Sequence, residues 1–349
     1  MKGKHTLMYN TLIKWLALIG LTFFISACSE TAPQLLHIQG QTMGTYYQVK
    51  YVLDAKQQSN TQLSARAIQI EIDKRLEQVN NLMSTYRPGS ELSHFNKAEK
   101  SLTVSDAMRD VVKTALAIFE QTDGAYDVTV GPLVNLWGFG PDKRPDKVPP
   151  QALINEKMQM VGSQYLSVEG NTLNKSIPEL YLDLSSIAKG YGVDFIAEYL
   201  QQLGINNYLV DIGGELRVQG FKPANEQWTL AIERPVGGQN VQRLIQIGDN
   251  GIATSGDYRN YFESDGIRYS HTIDPKTGKP ITHKLVSVTV INKNCMLADG
   301  FATAITVLGP EAGLEFAKKQ HLAVFLLVKE GDDFNEYYTP EFEPYLVKE

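Results

Sequence analysis

The sequence predicts an α+β fold, a mixed and largely antiparallel sheet core with helices packed on it. Strand-like runs outnumber helical ones along the chain, and several follow one another with little between them. Strands joined by short turns pair antiparallel, whereas parallel strands need a long crossover. In addition, 43% of the 349 residues are hydrophobic and the charge is dispersed, so the chain can build a core without disulfide staples.

The elements follow in order. Residues 46–52 (YYQVKYV) alternate as a strand does. Residues 65–83 place Ile72, Leu76, Val79 and Met83 at helical spacing. Ser105 is a candidate cap for a helix bearing Met108, Val111, Val112, Ala115, Ile118 and Phe119. Residues 181–184 read as a short strand running into a helix over 187–203, which Gly204 stops. Strand-like runs follow at 207–218, 228–233 and 285–291. Residues 299–308 read as a helix ended by Gly309, with Pro310 opening the next, and 322–328 fit a buried strand. Residues 141–150 hold four prolines in ten and read as a surface excursion.

The N-terminus points to export. Lys2, Lys4 and Lys14 precede an apolar run over 15–25, too short to span a bilayer as a mature helix, so 1–27 read as a signal peptide. Ile25-Ser26-Ala27-Cys28 resembles the bacterial lipobox, making Cys28 the expected lipidated residue. Residues 28–36 are expected to be a tether and 37–349 the functional domain. Removing 1–27 takes three lysines and no acid from a net charge of −6, leaving −9. That balance, with no basic run, disfavours nucleic acid as a partner. After Cys28 only Cys295 remains, which excludes an intrachain disulfide and a thiolate zinc site in the mature chain.

The segment 252–280 is the densest in chemistry, with Thr254, Ser255, Asp257, His271, Asp274 and Thr277 among Gly256, Gly266 and Gly278. Glycines and small hydroxyl residues let a backbone approach a ligand closely. Standard motifs are missing: Gly138-Phe139-Gly140 lacks the third glycine of a dinucleotide fingerprint, and there is no phosphate-loop lysine, HExxH or GxSxG. The histidines are too scattered for a zinc triad. Oxygen chemistry remains. Asp299 and Thr303 are four apart on one helix face, a pairing that suits Mg²⁺. The same spacing fits an aspartate cap and a threonine bonding back to the previous turn, and spacing alone favours that reading. Asp183, Ser185, Ser186 and Lys189 surround a helix start, which serves equally for phosphate binding or for plain capping. The loop from Asp123 through Ala125, Tyr126 and Asp127 to Trp137-Gly138-Phe139-Gly140 could receive a planar ring, although core packing is the commoner fate of such aromatics. Gln41-Thr42-Met43-Gly44-Thr45 is small and polar, and Tyr86 is placed to stack on a ring or simply to pack.

Taken in order, Met43-Gly44-Thr45, Ser84-Thr85-Tyr86, Gly124-Ala125-Tyr126-Asp127, Gly131-Pro132-Leu133, Trp137-Gly138-Phe139-Gly140, Asp183-Leu184-Ser185 with Lys189-Gly190, Asp211-Ile212-Gly213-Gly214, Thr254-Ser255-Gly256-Asp257-Tyr258, the stretch from His271 to Pro280, and Ala298-Asp299 with Thr303 resemble the ApbE family. The resemblance spans about residues 39–328. It implies an envelope lipoprotein that uses FAD and Mg²⁺. A Thr or Ser hydroxyl of an acceptor protein attacks the FMN phosphorus and AMP leaves. Acceptors in the family include flavin subunits of sodium-pumping and Rnf-type electron-transport complexes. The resemblance places Met43, Tyr86, Ala125, Tyr126, Asp127, Asp183, Lys189 and Ile273 against FAD, Ser186, Asp299 and Thr303 around the metal, and His271 in proton transfer. Asp257 and Asp274 are rival bases. The expected location is the bacterial cell envelope, facing the periplasm, with the inner membrane as first choice. Two other readings stay open: an FAD pyrophosphatase giving FMN and AMP, and a non-enzymatic flavin-binding lipoprotein.

Overall fold

Two nine-residue strands, β1 (Gln34–Thr42) and β2 (Thr45–Leu53), open the fold as a hairpin. Met43 and Gly44 make its turn at φ 50° and 72°, the backbone that a tight two-residue hairpin loop demands. The structure is a computed structural model that describes residues 32–141, 147–235, 240–256, 261–264 and 267–348. The expected signal peptide, Cys28, Asp257 and part of the proline-rich stretch lie outside the described residues. β1 already begins at Gln34, inside the 28–36 stretch expected as a tether.

Helix α1 (Ala65–Met83) buries Ile68, Ile72, Leu76, Val79 and Met83, and Ser64 caps it. After α2 (Glu91–Lys97) and β3 (Ser101–Thr103), Ser105 Oγ accepts from Met108 N at 3.2 Å and starts α3 (Asp106–Gln121), the cap expected there. Helix α4 (Gly131–Leu136), with Pro132 in its first turn, forms where only a loop was expected. After α5 (Gln151–Met158), β4 (Leu166–Glu169) and β5 (Thr172–Lys175) join β3 in a small sheet. Residues 181–184 join no ladder, contrary to expectation. The N–H of Leu182 goes to Asn96 Oδ1 (2.8 Å) and that of Asp183 to Val128 O (2.7 Å), so this extended stretch is satisfied by a side chain and a loop.

Helix α6 (Ala188–Gln202) ends before Gly204 at φ 75°. The run expected as one strand over 207–218 is a hairpin, β6 (Tyr208–Ile212) and β7 (Glu215–Gln219), because Gly213 and Gly214 turn at positive φ. Asp211 Oδ1 accepts from Gly214 N at 2.9 Å and fixes that turn. Three ribbons and one further strand come next: β8 (Phe221–Lys222) with β9 (Glu226–Gln227), β10 (Leu230–Glu233) with β11 (Val241–Ile245), β12 (Gly251–Gly256), and β13 (Tyr261–Ser264) with β14 (Ile267–Ser270). A last ribbon, β15 (Ile273–Asp274) with β16 (Lys279–Pro280), precedes β17 (Leu285–Asn292), α7 (Cys295–Leu308), α8 (Pro310–Lys319), β18 (Ala323–Glu330) and β19 (Asp333–Tyr338).

Eight of the described strands form one antiparallel sheet in the order β1-β2-β6-β7-β12-β17-β18-β19. The fold class is therefore α+β with a largely antiparallel core. Alternation along the strands sends Tyr47, Val49 and Val210 to one face, against Ile68 and Ile72 of α1 and Val193 and Ile196 of α6. Val52, Leu209, Phe325 and Leu327 face the other way, under Ile232 and Ile245 of the β10–β11 ribbon.

Helix α7 starts at Cys295, four residues before its expected start. Its cap comes from another helix. Asp194 of α6 accepts from Cys295 N (3.1 Å) and Met296 N (2.9 Å) and also binds Arg217 (2.9 Å). Gly190 lets the two helices touch: a Cβ there would lie 2.6 Å from Cys295 O. Asp299 therefore sits one turn inside α7 and is not its cap.

Candidate active site

A cavity of about 410 Å³ opens at the N-terminal end of α6. Tyr86, Ala125, Tyr126 and Asp127 line it, as do Asp183, Ser186 and Lys189, His271 and Ile273, and Asp299 and Thr303. These residues come from five separate stretches of sequence. A second cavity of about 750 Å³ adjoins it, sharing Tyr86, Ser185 and Lys189, and holds Met43. Met43 is thus beside the first cavity and not in it.

The loop from Ala125 to Thr129 is tied by its own aspartate. Asp127 Oδ1 accepts from Thr129 N (2.8 Å), Thr129 Oγ1 (2.7 Å) and Ser163 Oγ (2.7 Å), and Oδ2 from Ser163 N (3.1 Å). Asp127 therefore shapes the wall while its carboxylate is occupied. The phenol of Tyr126, fully buried, accepts from Ser186 Oγ at 3.0 Å and joins that wall to the stretch before α6. Asp183 Oδ1 accepts from Ser185 N at 2.9 Å and turns the chain into the helix.

His271 lies in the cavity wall directly after β14, with its ring edge-on to Phe139 at 6.3 Å. Phe139 in turn packs on Phe262, which stacks on Tyr269. Trp137 stacks on Tyr269 and donates its indole N–H to Gly278 O at 2.9 Å. Trp137, Phe262 and Tyr269 form a core plug behind His271, and of this aromatic cluster Phe139 reaches the cavity. Asp274, a rival base, is outside the lining and spends its carboxylate on Lys276 N (2.8 Å) and Thr277 Oγ1 (2.9 Å). Asp257 lies outside the described residues.

The deep end of the cavity is charged. Asp299, 6% exposed, accepts from Gly190 N at 3.0 Å. Lys189 Nζ lies 2.6 Å from Glu215 Oε1. Burial raises Asp299 to about 6, against the pull of Lys189 and the Gly190 N–H. Burial raises Glu215 as well, with Lys189 opposing and Asp299 adding to the rise. For Lys189 burial acts downward, but Glu215 and Asp299 outweigh it and hold the ammonium above its ordinary range. Two buried carboxylates sharing one ammonium leave an excess of negative charge in a poorly solvated place, which a divalent cation relieves.

Glu215 is not among the site residues expected from the sequence. Its only signal is an acid directly after Gly213-Gly214, at the buried first position of β7. Among the described residues no three His, Cys, Asp or Glu side chains gather in a metal-binding group, so an ion here would rely on hydroxyl and backbone oxygens as well.

Comparison with known proteins finds relatives over most of the chain. The ApbE family profile matches residues 43–326. An FAD:protein FMN transferase of Vibrio cholerae serotype O1 is 50% identical over 337 residues, covering 96% of this chain and 99% of its own. The FAD:protein FMN transferase of Escherichia coli K12 is 41% identical over 342 residues, covering 94% and 95%. The solved structure of the flavin transferase ApbE from Vibrio cholerae superposes with a TM-score of 0.83 at 49% identity, over 90% of this chain and all (100%) of that one. The apo flavinyl transferase ApbE of Pseudomonas stutzeri gives 0.82 at 40% identity, over 91% and 98%. The chain belongs to the ApbE family.

Proposed function

We propose that this chain binds FAD across the two adjoining cavities and transfers its FMN half to a Thr or Ser hydroxyl of an acceptor protein, releasing AMP, with Mg²⁺ at the deep end. Family membership and the transferase relatives support the flavin chemistry. The observation that carries the rest is the convergence of Tyr126, Ser186, Lys189, His271, Asp299 and Thr303 on one cavity.

The donor set fits a hard cation. Asp299 offers a buried carboxylate, Thr303 a hydroxyl one turn away and Ser186 an oxygen at the start of α6. Glu215 Oε2 is buried without a hydrogen-bond partner in the same place. Bound there, Mg²⁺ would neutralise charge on the diphosphate oxygens.

The remaining work falls to the chain's own groups. The N-terminus of α6 and Lys189 favour an anionic diphosphate beside them. Tyr86, at 67% exposure, is available to cover a flavin or adenine ring. The acceptor oxygen forms a bond to the FMN phosphorus as the P–O bond to AMP breaks. His271 receives the hydroxyl proton, since imidazole is the side chain suited to this at neutral pH. The nucleophile comes from the partner, which explains why no nucleophile–base pair is needed within the cavity. We further propose that the N-terminal segment directs the protein to the bacterial envelope, where lipidated Cys28 anchors it facing the periplasm, at the inner membrane in the first instance. Sodium-pumping or Rnf-type flavin subunits are the proposed acceptors.

Incubation with FAD, Mg²⁺ and such a subunit is expected to yield a fluorescent acceptor in a denaturing gel and one AMP per flavin attached. FMN and AMP formed without labelling would favour the pyrophosphatase reading, and unchanged FAD a flavin store.

A further inference from the structure

We propose that Glu215 is a second carboxylate of the cation site: Oε1 holds Lys189, and Oε2 faces the cation or one of its bound waters. The inference rests on the metal-dependent reading above and adds a residue to it.

Glu215 opens β7 immediately after the Gly213-Gly214 turn, and it is 3% exposed. One of its oxygens is matched by Lys189 at 2.6 Å. The other is buried without a hydrogen-bond partner, although the side chain lines the same cavity as Asp299 and Thr303. An ionised oxygen in a buried place without a donor is costly, and native proteins keep such a group only where something else satisfies it. A simple counter-ion for Lys189 needs no second oxygen aimed into a ligand cavity. A hard cation does: Mg²⁺ is held by one or two carboxylates and keeps several waters that donate hydrogen bonds. The Lys189–Glu215 pair also sets the charge. With Lys189 neutralising one carboxylate, Asp299 and Glu215 together present about one net negative charge.

The test uses the full-length protein and Mn²⁺ alone as probe, with binding followed by the loss of the free-ion EPR signal. Glu215→Gln keeps the shape and the contact with Lys189 while removing the charge, and is expected to weaken Mn²⁺ binding at least tenfold. Lys189→Met and Lys189→Met/Glu215→Gln give the same comparison without the ammonium. Because the double variant removes both members of the Lys189–Glu215 pair, neither is left without its partner, and the comparison stays usable should Glu215→Gln alone unfold. A tenfold loss in both backgrounds supports the inference. A loss confined to the background that retains Lys189 would overturn it, since Glu215 would then serve the lysine alone. Mn²⁺ binding lost in Asp299→Asn but retained in Glu215→Gln would also overturn it and leave the cation reading standing. Absence of Mn²⁺ binding by the unaltered protein would overturn both.

Discussion

The backbone N–H of Gly190 donates to Asp299 Oδ2 at 3.0 Å, tying the first turn of α6 to the second turn of α7. A side chain at 190 would stand 2.6 Å from Cys295 O and 2.7 Å from Met296 Cα, so the contact exists only because the residue is glycine. Gly190→Ala is therefore expected to push the helices apart, costing about 1–3 kcal/mol as overpacking does. Flavin transfer should fall well beyond what the unfolded fraction explains, because Asp299 loses its anchor. Thermal unfolding together with the rate measured far below the transition checks this. An undiminished rate would show that the tie is only structural.

Asp299→Asn removes a charge but keeps size and an acceptor for Gly190. Transfer is expected to drop about 10²–10³-fold, the usual cost of losing one electrostatic stabiliser in a catalytic site. Since burial works against the ionised Asp299, the unfolding temperature should hold or rise. A large fall in unfolding temperature would reveal a folding role instead.

His271→Ala should slow transfer by about 10²–10⁴-fold, the range for a lost general base, and spare FAD affinity. The acid limb of the pH–rate profile should vanish with it, because protonation of the imidazole is what stops it accepting the hydroxyl proton. If the limb persists at full height, the base lies elsewhere, with Asp257 next in line.

Asp194 supports the site from beneath without lining it. It accepts from two N–H groups of α7 and from Arg217, and is itself buried. Asp194→Ala strands all three donors and is expected to cost about 3–5 kcal/mol, as breaking a buried charge pair does. The urea midpoint at pH 7 measures it. A shift equivalent to less than about 1 kcal/mol would mean that the cap and pair contribute no more than a surface contact.

Cys28→Ser should move the protein from the membrane fraction to the soluble one and leave the rate in solution unchanged. Retention of the variant in the membrane fraction would remove the lipid anchor from the account.

Local patterns in the sequence carried much of this. The stripe from Ile72 to Met83 and the cap at Ser105 depend only on neighbours, and both elements form as their spacing requires. Spacing alone left Asp183, Lys189 and Asp299 open to plain capping; the family resemblance grouped them with His271, and the chain does bring them together. What escaped depends on distant partners. The start of α7 at Cys295 is fixed by Asp194, 101 residues away, which no local cap signal reveals. Residues 181–184 look like a strand because they alternate, yet their hydrogen bonds go to Asn96 and Val128. Glu215 lies hidden in a run that reads as one strand until the Gly213-Gly214 turn is recognised, and its partner Lys189 sits on a helix.

The central claim is that Asp299 and Thr303 seat a cation against the diphosphate of FAD, and crystals grown with FAD and Mn²⁺ test it most directly. An anomalous peak within coordinating distance of Asp299 and Thr303, with the diphosphate between it and the start of α6, is the predicted result. FAD bound away from this cavity, or a metal peak with no oxygen of Asp299 beside it, would contradict the claim.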